Sequence, residues 1–158
     1  MSRRLKIILS TILPMPLAPF TPASSPIRAW LSSDALGQRF LLSYLSDSWE
    51  PLIDFKTRHL WLAEEGGEAV GFFDLELDPS GAGYFVFYVA PAYRGKGLAK
   101  KIAEAGLSTD AAKSCRFFEA GVEPENAASI HVLESLGFEQ AGKDEDGMLL
   151  FRRMERIA

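Results

Sequence analysis

The feature that most constrains the fold is an unbroken run of apolar and aromatic residues that leads into a glycine-containing turn. Residues 84–89 read Tyr-Phe-Val-Phe-Tyr-Val, with no charged side chain among them. Such a run predicts a central β-strand that is buried on both faces. Residues 94–99 follow as Arg-Gly-Lys-Gly-Leu-Ala, and apolar spacing from Leu98 onward predicts a helix. The chain must therefore contain a strand, a tight turn and a helix in that order.

The segments on either side predict further strands and helices. Prolines make residues 14–26 extended or looped, and the Glu-Gly-Gly-Glu turn at residues 65–68 joins a predicted hairpin. Along its second strand, Asp74 and Glu76 fall on the same face as Phe72. The remaining predicted elements are a helix from a cap at residues 32–34 to about residue 44, a helix over 47–56, a strand over 117–122, a helix from Asn126 to Gly137, and strands over 138–141 and 148–154.

This order of elements predicts an α+β (or α/β) sheet covered by helices. The 158 residues fit one domain, which we expect to span residues 1–158. An apolar fraction of 47% and a charged fraction of 24% are typical of a soluble globular protein. A net charge of -4 argues against a protein that coats nucleic acid, so no nucleic-acid partner is expected.

The N-terminus and the cysteine content bear on location. Basic residues precede an apolar run over residues 7–13, which superficially resembles a signal peptide. The run is broken by Pro14 and is far shorter than the roughly 20 residues that span a membrane, so we interpret it as a first strand. A single cysteine, Cys115, excludes an internal disulfide and fits a reducing compartment. We therefore expect a cytoplasmic protein without a membrane partner.

The turn before the predicted helix has the chemistry of an anion site. Gly95 and Gly97 lack a Cβ atom, so the backbone can turn sharply and admit a bulky anion. The first turn of a helix presents unpaired N–H groups and the positive end of the helix dipole. Arg94 and Lys96 add charged donors, which makes a pyrophosphate group a suitable ligand. The spacing matches neither the nucleoside-triphosphate loop nor the dinucleotide fingerprint.

Two stretches resemble one family. Arg94, Gly97 and Ala99 satisfy the pattern [QR]-x-x-G-x-[GA], and residues 126–138 read as an Asn-opened helix ending in Leu-Gly-Phe. In this order and separation they resemble the GNAT superfamily of acyl-CoA-dependent N-acyltransferases. The resemblance implies a GNAT-like fold, a mixed and mostly antiparallel central sheet of six to seven strands. That sheet would be flanked by helices and splayed between strands 4 and 5.

The resemblance also implies an activity: an N-acetyltransferase that moves an acetyl group from acetyl-CoA to a primary amine. The amine would attack the thioester directly in a ternary complex. Backbone groups of Tyr88 and Val89 would bond the pantetheine arm and polarise the thioester carbonyl. The implied cofactor-binding residues are Tyr88, Val89, Arg94, Gly95, Lys96, Gly97, Leu98, Ala99 and Asn126.

The proton-transfer groups are less defined. A protonated amine needs a base, and Asp74 and Glu76 are the natural candidates, with Glu119 as a third. The alternative is that this strand face is simply solvated, and no partner for Glu119 is visible in the sequence. Many family members place a tyrosine three residues before Leu-Gly-Phe, where this chain has Leu133. Tyr88, Tyr93 or no group at all would then protonate the leaving thiolate.

Two rival functions are compatible with the same residues. The missing tyrosine motivates a catalytically silent acyl-CoA-binding module that regulates a partner, and an O-acyltransferase or a longer-chain acyltransferase is a further rival. His59 and Cys115 have no second ligand at metal-binding spacing, so no metal is expected. Apolar strands at either end of the chain would offer sheet edges to a second copy, which favours a homodimer.

Overall fold

The computed structural model describes residues 14–22, 25–46 and 49–155, and in them a seven-stranded sheet dominates. Its strands are β1 (Leu17–Pro19), β2 (Arg58–Glu65), β3 (Glu68–Leu77), β4 (Ala82–Val89), β5 (Phe117–Val122), β6 (Glu139–Lys143) and β7 (Leu149–Met154). They lie in the order β1-β2-β3-β4-β5-β7-β6. All neighbours are antiparallel except β4 and β5, which run parallel. The predicted mixed, mostly antiparallel sheet is confirmed, whereas the predicted strand over 7–13 lies outside the described residues.

Helices flank this sheet, and the short ones differ from the sequence prediction. The helix expected up to residue 44 ends at Phe40, and the one expected over 47–56 is one turn of 3₁₀ helix, with Asp47 outside the described residues. The helices are α1 (Ile27–Ser32), α2 (Ala35–Phe40), α3 (Leu98–Leu107), α4 (Asp110–Lys113) and α5 (Ala127–Ser135), with 3₁₀ turns at Leu42–Leu45, Glu50–Leu52 and Pro91–Tyr93.

The first helix, α1, was not predicted, because little in its local sequence specifies it. It has six residues and no side-chain cap, and it follows Pro26 at the end of a proline-rich stretch. Ile27 and Leu31 lie one helical turn apart and are fully buried. Tertiary packing of these two side chains therefore holds a helix that would be unstable alone.

Hydrophobic layers cover both faces of the sheet. On one face, Ile102 of α3 and Leu133 of α5 pack in a cluster that contains Phe73 and Leu75 of β3. On the other face, α1 and the segment after α2 pack against Leu60, Leu62 and Phe72. The alternation along β3 separates Phe72 from Phe73 and Leu75, as the period-2 pattern predicts.

Strands β4 and β5 separate soon after they pair. Their register covers only residues 82–84 of β4 and 117–119 of β5, so the rest of β4 has no strand neighbour on that side. The predicted splay is confirmed. The expectation that residues 84–89 are buried on both faces was wrong, because Tyr84 is 40% exposed and Val86 and Phe87 are half-buried. These side chains are partly exposed because β5 lies beside β4 only as far as Tyr84.

Within the described residues, no helix is both long and apolar enough to cross a membrane.

Candidate functional site

The glycine turn between β4 and α3 leaves the start of the helix open. Gly95 and Gly97 adopt φ angles of 79° and 74°, in the left-handed region that favours glycine. Gly97 is the N-cap of α3, and no side chain accepts a hydrogen bond from the first turn there. A Cβ atom added to either glycine would meet nothing within 4 Å. The first N–H groups of α3 are therefore free for an anion, which is the fit that a pyrophosphate requires.

This turn borders a cavity of about 330 Å³, which we call the loop cavity. Every predicted cofactor-binding residue lines it except Lys96, whose Nζ lies over the ring of Tyr93, 5.8 Å from its centroid. Residues from α2, from the end of β4, from the turn and from the start of α5 complete the wall. The lining residues are Leu36, Gly37, Phe40, Leu41, Phe87, Tyr88, Val89, Tyr93, Arg94, Gly95, Gly97, Leu98, Ala99, Asn126, Ala128 and Ser129.

Asn126 combines a structural contact with a free donor. Its Oδ1 accepts a hydrogen bond from the Ser129 backbone N–H at 3.2 Å, so it caps α5 as the sequence predicts. The amide nitrogen of the same side chain is left to donate at the cavity wall. The residue is thus suited to bond a carbonyl of a ligand arm in the loop cavity.

A buried carboxylate lies beside the loop cavity and engages Arg94. Asp34, 5% exposed, accepts hydrogen bonds from Arg94 Nη1 at 3.1 Å, from Arg94 Nη2 at 2.5 Å and from the Tyr88 hydroxyl at 2.8 Å. Burial raises the pKa of Asp34, but these bonds and the bond from the Gly37 N–H outweigh it and leave the pKa below its usual value. Burial and the bond to Asp34 raise the pKa of Tyr88 well above its ordinary value, so it stays a phenol.

A second cavity, of about 320 Å³, brings together the predicted base candidates, and we call it the acidic cavity. Asp74 and Glu76 line it together, as their shared strand face predicts, and Glu119 of β5 lines it as well. The remaining lining residues are Tyr44, Arg58, Tyr84, Phe85, Val86, Gly121, Asp144 and Leu150.

These acids differ in how they are held. Asp74 is 4% exposed and accepts hydrogen bonds from Arg58 Nε at 3.2 Å, Arg58 Nη2 at 2.8 Å and the Tyr44 hydroxyl. Burial and the Asp74 charge raise the pKa of Tyr44 well above its usual value. The alternative of a solvated face is therefore wrong for Asp74, which is buried and forms an ion pair with Arg58. Glu76, in contrast, is exposed.

Glu119 also has a partner that the sequence does not show. Arg152 is its register partner on the neighbouring strand β7 and donates from Nη2 at 2.7 Å and from Nε at 3.1 Å. The expectation that Glu119 lacks a partner was wrong, because β7 lies far along the chain yet adjacent in space. The side chain of Glu119 is 15% exposed, and its charge is balanced locally.

Consecutive stretches of β4 line the two cavities. Residues 84–86 line the acidic cavity, and residues 87–89 line the loop cavity. Both stretches belong mostly to the part of β4 that has left β5. Ligands in the two cavities would therefore contact consecutive residues of one strand.

The tyrosines near the two cavities differ in their hydrogen-bond partners. Leu133, at the position of the missing tyrosine, is fully buried in the core and lines neither of the two cavities. The hydroxyl of Tyr88 donates to Asp34, and that of Tyr93 donates to Glu68 at 2.8 Å. Tyr84 lines the acidic cavity and was not predicted as a site residue. Strand alternation could have indicated it, because Tyr84 is paired in register with both Glu76 and Glu119 and shares their face of the sheet.

Cys115 is buried, and burial together with the nearby Glu155 charge raises the pKa of its thiol. That environment suits a packing residue and not a nucleophile. Across residues 14–22, 25–46 and 49–155, no three His, Cys, Asp or Glu side chains are placed to hold a metal ion.

A mixed sheet that splays beside an open helix start is the fold that the resemblance to acyl-transfer enzymes predicted. The pattern of the acetyltransferase (GNAT) family matches residues 26–138, and the chain belongs to that family. No curated protein sequence matches the chain.

Solved structures share the fold at low sequence identity. The aminoglycoside acetyltransferase AAC(6')-Ib, bound to paromomycin and acetyl-CoA, superimposes with a TM-score of 0.74 at 18% identity, covering 90% of this chain and 94% of that one. The structure of yncA from Salmonella typhimurium with its cofactor acetyl-CoA gives 0.67 at 22%, covering 92% and 98%. RimL, an α-N-protein acetyltransferase in complex with coenzyme A, gives 0.72 at 16%, covering 90% and 94%.

Proposed function

We propose that this chain is an N-acetyltransferase that moves an acetyl group from acetyl-CoA to a primary amine. The observation that carries the proposal is that consecutive stretches of β4 line the loop cavity and the acidic cavity. The loop cavity suits an anionic cofactor with a long arm, and the acidic cavity suits a cationic acceptor. We propose that residues 1–158 form a single domain with this activity.

The donor is acetyl-CoA, which the AAC(6')-Ib and yncA structures also bind. It supplies an acetyl group activated as a thioester. In the proposal the N–H groups at the start of α3, between Gly97 and Ala99, hold the pyrophosphate, with Lys96 adding charge at the surface. Backbone groups of Tyr88 and Val89 orient the arm, and the Asn126 amide nitrogen donates to it. Orientation is the main contribution, because a thioester already reacts with a free amine.

The acceptor amine enters the acidic cavity in this proposal. An amine with a pKa of about 10 is mostly protonated at neutral pH and must lose a proton before it attacks. Glu76 is the proposed base, because it lines the cavity and is exposed. Asp74 shares this role in the sequence prediction, but Arg58 and Tyr44 already occupy its oxygens, so we assign it to holding the cavity wall.

The amine attacks directly in a ternary complex, without an acyl-enzyme. Cys115 is buried and does not line either cavity, which leaves no cysteine nucleophile in the chain. The thiolate leaves unaided, since thiolates are good leaving groups near neutral pH and Leu133 offers no proton. Tyr84 is the phenol nearest to the proposed base by strand register.

The test is turnover with a panel of primary amines, alcohols and acyl-CoAs of increasing length, read as released thiol and as product mass. We expect acetylated amine, and loss of about 10²- to 10⁴-fold in kcat/KM for Glu76→Gln. Glu134→Gln, which changes an exposed acid on α5, should leave turnover unchanged. Coenzyme A binding without thiol release for any acceptor would instead establish a silent binding module. Acetylated alcohols or a preference for long chains would establish the other rival.

We further propose a cytoplasmic location and assembly as a homodimer. Acetyl-CoA supply favours a cytoplasmic site of action. The edge strand β6 is exposed along its whole length, and we propose that a second copy pairs at a sheet edge to form a homodimer. Light scattering with size-exclusion chromatography would give twice the chain mass if this holds, and the chain mass if it does not.

A further inference from the structure

We propose that Asp34 is a positioning residue for the glycine turn, acting through Arg94, and that Arg94 serves the cofactor indirectly. The inference rests on the proposed function, because it concerns how the loop cavity is held in shape for acetyl-CoA. It assigns to Arg94 a task different from the direct pyrophosphate contact that its charge and motif position predict.

The carboxylate of Asp34 has all of its accepting positions in use. Oδ1 accepts from the Gly37 N–H at 3.0 Å and from Arg94 Nη1 at 3.1 Å. Oδ2 accepts from Arg94 Nη2 at 2.5 Å and from the Tyr88 hydroxyl at 2.8 Å. A buried carboxylate is tolerated only when it is paired in this way, so Asp34 and Arg94 constrain each other strongly.

Arg94 carries this constraint to the end of β4. Its Nε donates to the Val89 carbonyl oxygen at 3.1 Å, and its guanidinium lies over the ring of Tyr88, 5.4 Å from the centroid. The donor edge that would grip a phosphate with two parallel bonds is therefore turned to Asp34. Arg94 is also the residue directly before Gly95, so fixing its side chain fixes where the turn begins.

The same carboxylate holds the opposite wall of the loop cavity. Asp34 is the N-cap of α2, which contributes Leu36, Gly37 and Phe40 to that wall. A Cβ atom on Gly37 would lie 2.2 Å from Asp34 Oδ2, so the absent side chain makes room for the carboxylate. Asp34 thus connects the wall formed by α2 with the turn that starts α3.

The experiment is a double-mutant cycle on coenzyme A affinity, measured by isothermal titration calorimetry, with Asp34→Asn, Arg94→Gln and the double variant. Asparagine still caps a helix, so α2 is preserved in Asp34→Asn. Each single change should weaken coenzyme A binding about tenfold. The double variant should bind no more weakly than the single variant with the lower affinity. Independent effects that multiply to about a hundredfold would overturn the proposal, because a direct pyrophosphate contact by Arg94 does not depend on Asp34.

A second readout needs no ligand. Amide hydrogen exchange at residues 101–104, the first N–H groups bonded within α3, should speed up in Asp34→Asn and in Gly37→Ala, which displaces the carboxylate without changing its charge. Asp146→Asn, which alters an exposed carboxylate in the β6–β7 turn, is the matched control and should change neither affinity nor exchange. Unchanged exchange at 101–104 in both test variants would refute the positioning role.

Two outcomes separate this inference from the proposed function. Wild-type protein that binds no coenzyme A would refute the proposed function, whatever the variants do. Wild-type binding with no loss in Asp34→Asn would refute the inference alone. If Asp34→Asn does not fold, Tyr88→Phe removes one of the four bonds to the carboxylate, and faster exchange at 101–104 is then required.

Discussion

The buried charges of the described chain share one pattern. Asp34 and Asp74 are its buried charged residues, and each accepts hydrogen bonds from one arginine and one tyrosine hydroxyl. One cluster uses Arg94 and borders the loop cavity, and the other uses Arg58 and borders the acidic cavity. Since an unpaired buried carboxylate is costly, each cluster behaves as a unit, and removing one member should disturb the others.

The pKa of Asp34 gives a pH prediction whose sign can be worked out. A carboxyl group whose pKa is lower in the folded than in the unfolded state stabilises the fold above its unfolded pKa, near 3.9, and loses that contribution as pH falls through the folded value. At pH 7 we expect Asp34→Asn to lower the free energy of unfolding by about 2 kcal/mol. That difference from wild type should shrink progressively below about pH 4.

Urea unfolding of both proteins at pH 7, 5, 4 and 3 measures this difference. Asp146→Asn is the control, because Asp146 is exposed in the β6–β7 turn, and its effect on stability at pH 7 should be small. A difference between wild type and Asp34→Asn that is as large at pH 3 as at pH 7 would contradict the assignment of a stabilising charge.

The sequence identifies parts of the site at the residue scale and not their partners. The glycines and the cap at Asn126 are predicted because their chemistry depends on near neighbours. Asp34 is predicted only as a helix cap, since its contacts to Tyr88 and Arg94 join residues 54 and 60 positions apart. Such pairings arise from the sheet topology, which a local pattern does not specify.

At the scale of elements, the start of α3 is the part most sensitive to a single methyl group. Gly97 has φ of 74° with open space around it, so an alanine there is strained by its backbone and not by contact. We expect Gly97→Ala to cost about 1–2 kcal/mol of stability and to weaken coenzyme A binding, because the first turn must tilt.

Gly67 offers the matched control for this change. It lies in the β2–β3 turn with φ of 83° and, like Gly97, has nothing within 4 Å of an added Cβ atom. Gly67→Ala should cost similar stability in urea unfolding and leave coenzyme A affinity unchanged by calorimetry. Equal affinity for wild type and Gly97→Ala would mean that the turn does not hold the pyrophosphate.

The predicted elements succeed or fail according to what stabilises them. The β2–β3 hairpin and helices α3 and α5 carry strong local patterns, and the structure contains them. The helices α1 and α4 have six and four residues, and sequence patterns did not indicate them. Helices this short depend on tertiary packing, which no window of local sequence contains.

At the scale of the whole molecule, the fold class follows from the order of elements, whereas the cavities do not. The splay was expected through family resemblance and is confirmed by the short register between β4 and β5. The sequence does not show that aromatic residues of β4 line cavities. An apolar run has the same sequence pattern whether its side chains pack against a neighbouring strand or border a cavity. Burial alone would assign them to the core.

A single domain with one cofactor site predicts how the whole molecule unfolds. Trp30 and Trp49 pack in the layer on one face of the sheet and Trp61 in the layer on the other, so their fluorescence reports both layers. Because β3 and β4 are shared by the layers, we expect one thermal transition that coincides by fluorescence and circular dichroism. Separate transitions for the two probes would contradict the single-domain proposal.

Coenzyme A should shift that transition by mass action. At a hundred times its Kd it adds about 2.7 kcal/mol to the free energy of unfolding, which raises Tm by roughly 5–10 °C for a domain of this size. Gly97→Ala at the same coenzyme A concentration should show a smaller shift, and Gly67→Ala the full one. A Tm that does not move in wild type would mean that coenzyme A does not bind, while equal shifts in all three proteins would place its site away from the start of α3.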